Sequence, residues 1–341
     1  MALTDKYDEA SYEIRRSGGG QLGELDAREL IRYATLAASS HNTQPWKFRV
    51  RENVITILPD FSRRCPVVDP EDSHLFRSLG CAAENLVLGA AAQGFSAEVR
   101  FDPEESGVIV ALERDESSSA TDLFHAIPKR QCTKTAYDGT LVSESELEML
   151  RQAGEGRDVR TLTLLSKDEK EAVIDYVTRG NLAQLSDRAF RDELVSWIRF
   201  NPQEAMRTGD GLAGRTANKP ALPTWLARWI IGLILTAKGQ AETDAEHIRS
   251  SAGVAVFVSE RNDRAGWVEA GRAYERFALQ AAALDIRTAF INQPLEVSSL
   301  RPEFESWLGL DGAHAQLMVR FGHGPIAPFS LRRAVDDVII E

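Results

Sequence analysis

Two stretches of this chain align with each other at a fixed spacing, and that constrains its fold more than any other feature. Placing Gly80-Cys81-Ala82-Ala83-Glu84 over Gly271-Arg272-Ala273-Tyr274-Glu275 gives an offset of 191 positions (80 to 271). At that offset Gly80/Gly271, Ala82/Ala273, Glu84/Glu275, Leu88/Leu279, Ala90/Ala281, Ala91/Ala282 and Ala92/Ala283 are identical. Alanines coincide readily between two helices, whereas matched glycine and glutamate positions point to a repeated unit. Both windows read as long helices that run into short β segments, 97–101 and 288–292. At 341 residues the chain also exceeds the usual reach of one hydrophobic core. Two related halves are expected, 1–120 and 121–341, with the polar run Asp115-Glu116-Ser117-Ser118-Ser119 at the seam.

The remaining pattern fits that division. In the first half Asp26 and Glu29 have capping-box spacing ahead of a helix to about Leu36. Strands follow over 46–50 and 54–58, then a helix over 78–93 and a closing strand over 107–114. The second half begins near His125 and predicts a helix from Ser143, a strand over 159–165, and helices over 169–178 and 181–200. A strand over 253–259, a helix over 267–284 and a strand over 314–321 complete it. Helices outnumber strands and their order is mixed, so the expected class is α+β with a mixed sheet in each half. The stretch Asn201–Gln240 is long for a loop and ends in Pro223-Thr224-Trp225-Leu226-Ala227-Arg228-Trp229-Ile230-Ile231, whose apolar surface needs burial. It reads as a lid-like insertion or as an extra packed helix.

Composition removes several classes of function. A net charge of −11 argues against nucleic acid as a partner. Cys65, Cys81 and Cys132 are far apart with no C-x-x-C, so neither a zinc site nor a disulfide framework is indicated. A reducing cytoplasm is the expected setting, since Met1-Ala2-Leu3-Thr4-Asp5-Lys6 does not read as a secretion signal. The longest apolar run, 225–236, is interrupted by Arg228 and is too short to span a bilayer, so no membrane partner is expected. No two of the six histidines have helical ligand spacing, and no metal is expected. Gly18-Gly19-Gly20-Gln21-Leu22-Gly23 satisfies G-x-G-x-x-G, but no strand precedes it and no acidic residue opens a strand about twenty positions on. It reads as a loop.

The chemistry-bearing segment is Ala38-Ser39-Ser40-His41-Asn42-Thr43-Gln44-Pro45-Trp46. Hydroxyls and carboxamides beside an apolar wall suit a flat heteroaromatic ring with carbonyls and ring nitrogens. The segment is a poor phosphate site, having no cation before Lys47. Read from residues alone, a hydroxyl-rich loop with Trp46 plugging the core stands beside that reading. The segment resembles one in the nitroreductase family of flavoproteins, written P-S-S-x-N-x-Q-P-W. Ala38 replaces the leading proline, and Ser39, Ser40, Asn42, Gln44, Pro45 and Trp46 match. The resemblance implies a nitroreductase-like FMN fold from about Asp26 onward, with this segment against the isoalloxazine at a subunit interface. The family typically forms homodimers, so two fused halves resemble its Acg-like subgroup, in which one chain imitates the dimer.

A flavin phosphate needs cations that restore charge-assisted bonds lost with hydration. The family's basic run is written R-R-S-x-R, or R-R-x-T-N-R in the fused subgroup. Lys129-Arg130-Gln131-Cys132-Thr133-Lys134 is similar to it, keeping charge at three positions. Lys129, Arg130, Gln131, Thr133 and Lys134 are thereby implied as phosphate and ribityl contacts; a solvated basic loop is the plain reading. Arg332 and Arg333 follow a glycine turn, as the family's C-terminal phosphate residues do. Asn292-Gln293-Pro294-Leu295-Glu296 resembles the subgroup's N-Q-P-L-E, which implies Asn292, Gln293, Pro294 and Leu295 at the ring; otherwise these are strand-end turn residues. Ring segment and anchors each occur once, so one FMN per chain is expected. The implied activity takes hydride from NAD(P)H and passes electrons to a nitroaromatic, quinone or related acceptor, with no side chain needed as the acid. The alternative is a flavin-sequestering protein with little turnover. A Ser-His hydrolase is excluded because Ser40 sits in no G-x-S-x-G elbow. A monomer or weak homo-oligomer is expected.

Overall fold

The computed structural model describes residues 3–16 and 24–341, so the glycine motif at 18–23 lies outside the described residues. Two sheets share one topology. Strands Trp46–Arg51, Val54–Pro59, Phe95–Asp102 and Gly107–Arg114 lie in the spatial order first, second, fourth, third, each pair antiparallel. Strands Val159–Leu164, Gly253–Ser259, Arg287–Phe290 and His314–Gly322 repeat that order and sense. A helix precedes each set, Ala27–Thr35 and Glu144–Gly154, and a 20-residue helix joins each second strand to the third, Ser73–Ala92 and Arg264–Ala283. The two long helices correspond end to end at the 191-position offset (73 to 264, 92 to 283).

These helices cross through the paired glycines. A Cβ on Gly80 would lie 2.0 Å from the Val268 carbonyl oxygen, and one on Gly271 would lie 2.0 Å from that of Arg77. Arg77 and Val268 are themselves related by the offset (77 to 268), so each helix presses the same position against the other. That reciprocity is the geometry of a two-fold contact. The close crossing brings Leu79, Ala82, Leu86, Ala273 and Phe277 into one core that reaches both sheets. Capping fixes the starts: the Asp69 carboxylate accepts from His74 N and Leu75 N, and the Asp263 carboxylate from Gly266 N.

Several elements differ from the sequence pattern. The first long helix begins at Ser73 rather than 78, because Asp69 caps it earlier. The expected helices 169–178 and 181–200 are instead Lys167–Ser186 and Arg188–Trp197, broken at Asp187, which caps the second. Gly180 stays helical; a Cβ there would meet the Gln293 Cβ at 2.6 Å. Ile339–Ile340 returns to run parallel beside Phe48 and Arg49, making the first sheet mixed, while the second has a parallel bridge at Cys132–Thr288. The Leu3–Glu13 helix, unmarked in the pattern, packs Tyr7 against Ala205, Ala213 and Leu331. The insertion contains helices Pro202–Thr208 and Thr224–Ile234, and Leu212–Ala213 pairs with Ile198–Arg199. Its apolar end is not buried as expected: Trp225 and Trp229 are 74% and 76% exposed. Among the described residues no helix is long and apolar enough to cross a membrane.

Candidate functional site

The site grows from the C-terminus of the Ala27–Thr35 helix. Beyond it His41, Asn42 and Gln44 take φ values of 48°, 54° and 53°, a left-handed backbone that costs energy in non-glycine residues. Side-chain bonds hold it there. The Asn42 amide donates to Gly211 O (3.1 Å) and Leu331 O (3.3 Å), and its Oδ1 accepts from Arg332 (3.1 Å). The Gln44 amide donates to Gly209 O (2.8 Å), and its Oε1 accepts from Arg333 N (2.8 Å). Ser39 Oγ accepts from Gln44 N (3.1 Å), and Ser40 N donates to Ser78 Oγ (3.4 Å). Asn42 and Gln44 therefore join the segment to the insertion and to the C-terminal strap. Trp46 is fully buried, as the plug reading requires.

Buried guanidinium groups gather behind this loop. Arg332 donates to Thr35 O (2.8 Å), Leu36 O (3.1 Å) and Ala37 O (3.2 Å), covering the helix's free carbonyls. Arg130 donates to Leu36 O (2.8 Å) and lies 2.9 Å from Glu275 in an ion pair almost sealed from solvent. Arg15 donates to Ser11 O (2.7 Å) and Ser330 O (3.0 Å), stacks over Phe329, and leaves its Nε without a partner. Burial, then Arg332 and Arg130, pushes the Arg15 guanidinium well below its usual range. Burial, then Arg130, brings Arg332 down to about 9. Burial pushes the Glu275 carboxyl up, and Arg130 offsets part of that. Three mutually repelling cations thus meet one carboxylate, a charge imbalance that a bound anion relieves. Arg15 Nε, buried without a hydrogen-bond partner, is a donor that an anion such as a phosphate would meet.

The basic run lies at this place too. The charge of Lys134 acts on His41, and Lys129 and Lys134 are exposed while Arg130 and Thr133 are buried. Gln131 Oε1 accepts from Ala327 N (2.8 Å) and from Thr133 Oγ1 (3.2 Å). The structure therefore brings together Ser39, Ser40, Asn42, Gln44, Arg130, Arg332 and Arg333. The Asn292–Leu295 stretch is placed differently. Asn292 Oδ1 accepts from Met318 N (2.8 Å), the Gln293 amide donates to Asp244 (3.1 Å) and Asn181 (3.4 Å), and Pro294 and Leu295 are buried.

The next residue, Glu296, is the one that reaches the first sheet's helix. Its Oε1 lies 3.6 Å from His74 Nε2, and its Oε2 accepts from Gln184 (2.7 Å). Arg77 donates to His74 Nδ1 (3.3 Å), which leaves the imidazole proton on Nε2, toward Glu296. Burial lifts Glu296 to about 7 and holds His74 at about 3, while burial and then Lys134 hold His41 at about 4. Cys65 Sγ sits 3.5 Å from His41 Nδ1, and burial pushes the thiol up to about 12, which makes it inert. Among the described residues no cluster could hold a metal ion. The sequence does not assign His74, Glu275 or Glu296 to the site, and it leaves out the run Arg15-Arg16-Ser17, an echo of the basic anchor, because no second-half ring segment pairs with it. Glu275 was visible as a repeat marker and Glu296 as the end of a motif, but neither signal carried charge or depth.

No protein-family model matches the chain. Two curated proteins of Mycobacterium tuberculosis, provisionally named NAD(P)H nitroreductases, are 27% identical to it over 92% of this chain and 90% of theirs. Among solved structures, a nitroreductase of Bacteroides fragilis with bound FMN is 12% identical, with a TM-score of 0.38 over 60% of this chain and 90% of its own. A nitroreductase of Desulfitobacterium hafniense with bound FMN is 14% identical, with a TM-score of 0.40 over 65% and 98%. The NADPH:FMN oxidoreductase of Vibrio harveyi complexed with NAD+ is 10% identical, with a TM-score of 0.38 over 62% and 73%. Scores this low leave the fold to be read from the chain itself. The curated names support the nitroreductase family.

Proposed function

We propose that this chain is a nitroreductase-type flavoprotein of the fused kind, in which 1–120 and 121–341 stand for the two subunits of a dimer. It binds one FMN and oxidises NAD(P)H to reduce a nitroaromatic, quinone or related acceptor. The observation that carries this reading is the convergence at one helix end. The Ser39–Gln44 segment comes from one half, and Arg130 and Arg332 from the other.

In this reading Arg130 and Arg332 hold the phosphate, with Lys129 and Lys134 at its solvent edge and Gln131 and Thr133 beside it. Ser39, Ser40, Asn42 and Gln44 face the ring, Arg333 fixes Gln44, and Asn292, Gln293, Pro294 and Leu295 back the site. FMN, when bound, supplies the hydride-accepting chemistry. The chain's own part is to present buried positive charge, hold the ring segment in its left-handed conformation, and keep a protonatable carboxyl, Glu296, against His74. The second reading, a flavin store, is favoured by the Asn42 and Gln44 amides being bonded to Gly211 and Gly209 of the insertion. A cover fastened this way slows access to the ring.

The deciding experiment is an absorbance spectrum of the purified protein, then anaerobic addition of NADH and NADPH. Bleaching of a flavin band within seconds supports the enzyme. A yellow protein that stays oxidised supports the store, and a colourless protein that takes up no FMN defeats both.

A further inference from the structure

From Gly211 to Ala241 the chain has no acidic residue, although its net charge is −11, and it carries Arg215, Lys219, Arg228 and Lys238. Arg215 pairs with Asp8 and Lys238 approaches Glu242, whereas among the described residues Lys219 and Arg228 pair with no carboxylate. Within this stretch the Thr224–Ile234 helix turns Ala227 inward and leaves Trp225, Arg228, Trp229 and Gly232 exposed along one face. Its two ends are held. Asn201 donates to Leu222 O (3.3 Å) and to the Thr224 hydroxyl (3.1 Å), and Leu235 and Ala237 pack with Cys65, Val68 and Phe190. The carboxylate at its base, Glu204, accepts from Phe200 N and the Thr224 hydroxyl. The outward face is therefore a fixed, aromatic and positively charged surface.

We propose that this helix docks the protein on an anionic lipid surface, lying in the interface and not crossing it. Indole rings favour the depth of the lipid headgroups, where one edge is apolar and the other wet. Trp225 and Trp229 stand one turn apart, with Arg228 between them where it meets lipid phosphates, and Lys219 and Lys238 flank the helix in the sequence. Such a surface needs both terms, since apolar burial and attraction to anionic lipid add. A second copy of the chain is a poorer occupant. Homo-oligomers most often pair about a two-fold axis, which would set Arg228 against Arg228. Other exposed apolar side chains, such as Leu141 and Ile326, stand singly and need no partner. The proposal does not depend on the flavin reading.

Cosedimentation of the full-length protein with phosphatidylcholine vesicles, with and without phosphatidylglycerol, tests it. Binding is expected on the anionic vesicles and is expected to weaken with added salt. The Trp225→Ser/Trp229→Ser double variant should lower partitioning about tenfold or more, and Arg228→Glu about fivefold or more. Both variants alter exposed side chains, and an unchanged circular dichroism spectrum confirms that they fold. Absence of binding, equal binding to both vesicle types, or unchanged binding by the double variant overturns the proposal. A concentration-dependent dimer that the double variant abolishes, with no vesicle binding, also overturns it and assigns the face to a second copy.

Discussion

Glu84 and Glu275 occupy the same position of the repeat, yet they have become different things. Glu84 receives Arg272 and Arg276, each at 2.9 Å, and those arginines keep partial contact with solvent. Arg272 is shared with Glu269, so the group is a neutralised lock between the two long helices. Among the described residues Glu275 has Arg130 as its one ion-pair partner and accepts a 3.4 Å bond from Ala38 N, in an almost sealed pocket near Arg332 and Arg15. The repeat fixes where the two carboxylates stand. What surrounds each comes from outside it, from the basic run at 129–134 and from the C-terminal strap. One side of the core is neutralised, and on the other the Arg130, Arg332 and Arg15 guanidinium groups gather about the single Glu275 carboxylate.

The largest effect should separate these two glutamates. Glu275→Ala leaves Arg130 buried without its carboxylate and should cost about 3–5 kcal/mol. Glu84→Ala leaves Arg272 with Glu269 and both arginines within reach of water, so it should cost about 1–2 kcal/mol. Urea midpoints measure both. Equal losses would mean that the two sides are electrostatically alike.

The glycine crossing makes the opposite demand, because there the two halves are the same. Gly80→Ala and Gly271→Ala each place a Cβ 2.0 Å from a carbonyl oxygen and should each cost about 1–3 kcal/mol. The double variant should cost less than the sum, since helices already pushed apart by one methyl accommodate the second. A loss at one glycine only, or strict additivity, would break the reciprocal contact.

Acidity gives a third test. Burial holds His41 at about 4 and His74 at about 3, below the 6.5 of free imidazole. The folded chain then binds fewer protons than the unfolded one as pH falls below about 6.5, so these two residues lose stability on acidification. Glu296, lifted from 4.5 to about 7 chiefly by burial, with Asp69 adding and Gln184 and Arg77 opposing, has the reverse sign. It contributes stability below about pH 4.5 that is lost as pH rises to about 7. Glu296→Gln should therefore gain roughly 1–3 kcal/mol over the wild type between pH 5 and pH 8. A difference that stays constant over that range would show that the carboxyl titrates normally.

How much of this was legible in the sequence follows from the range over which each signal acts. The 191-position offset exposed the long helices because a glycine crossing leaves a mark in one dimension. The Ser39–Trp46 run was legible because its residue types are unusual in close succession. The position of Arg15 was hidden because its site is built by Ser330 and Phe329, more than three hundred positions away. The bonding of Gln293 to Asp244 and Asn181 was hidden because strand-end residues carry no periodicity. Trp225 and Trp229 misled for a physical reason: an apolar helix predicts burial, but only packing decides which face is covered.

The smallest effect concerns the two connectors between helix and first strand. In the first half Asn42 sits at φ 54°, and in the second Asp158 sits at φ 60°. Asn42 ties its loop to Gly211, Leu331 and Arg332, whereas Asp158 is exposed and offers its carbonyl to Glu260 N. Asn42→Ala loses both the amide bonds and the side chain that best tolerates a left-handed backbone, and should cost about 1–2 kcal/mol. Asn42→Gly restores the backbone freedom but not the bonds, so it should recover about half of that loss. Asp158→Ala has only the backbone term and should cost about 0.5–1 kcal/mol, all of it recovered by Asp158→Gly. Thermal or urea unfolding of the four variants gives the comparison. If glycine recovers the whole loss at Asn42 as well, its side-chain bonds add nothing, and the segment is held by the strap and not by its own carboxamide.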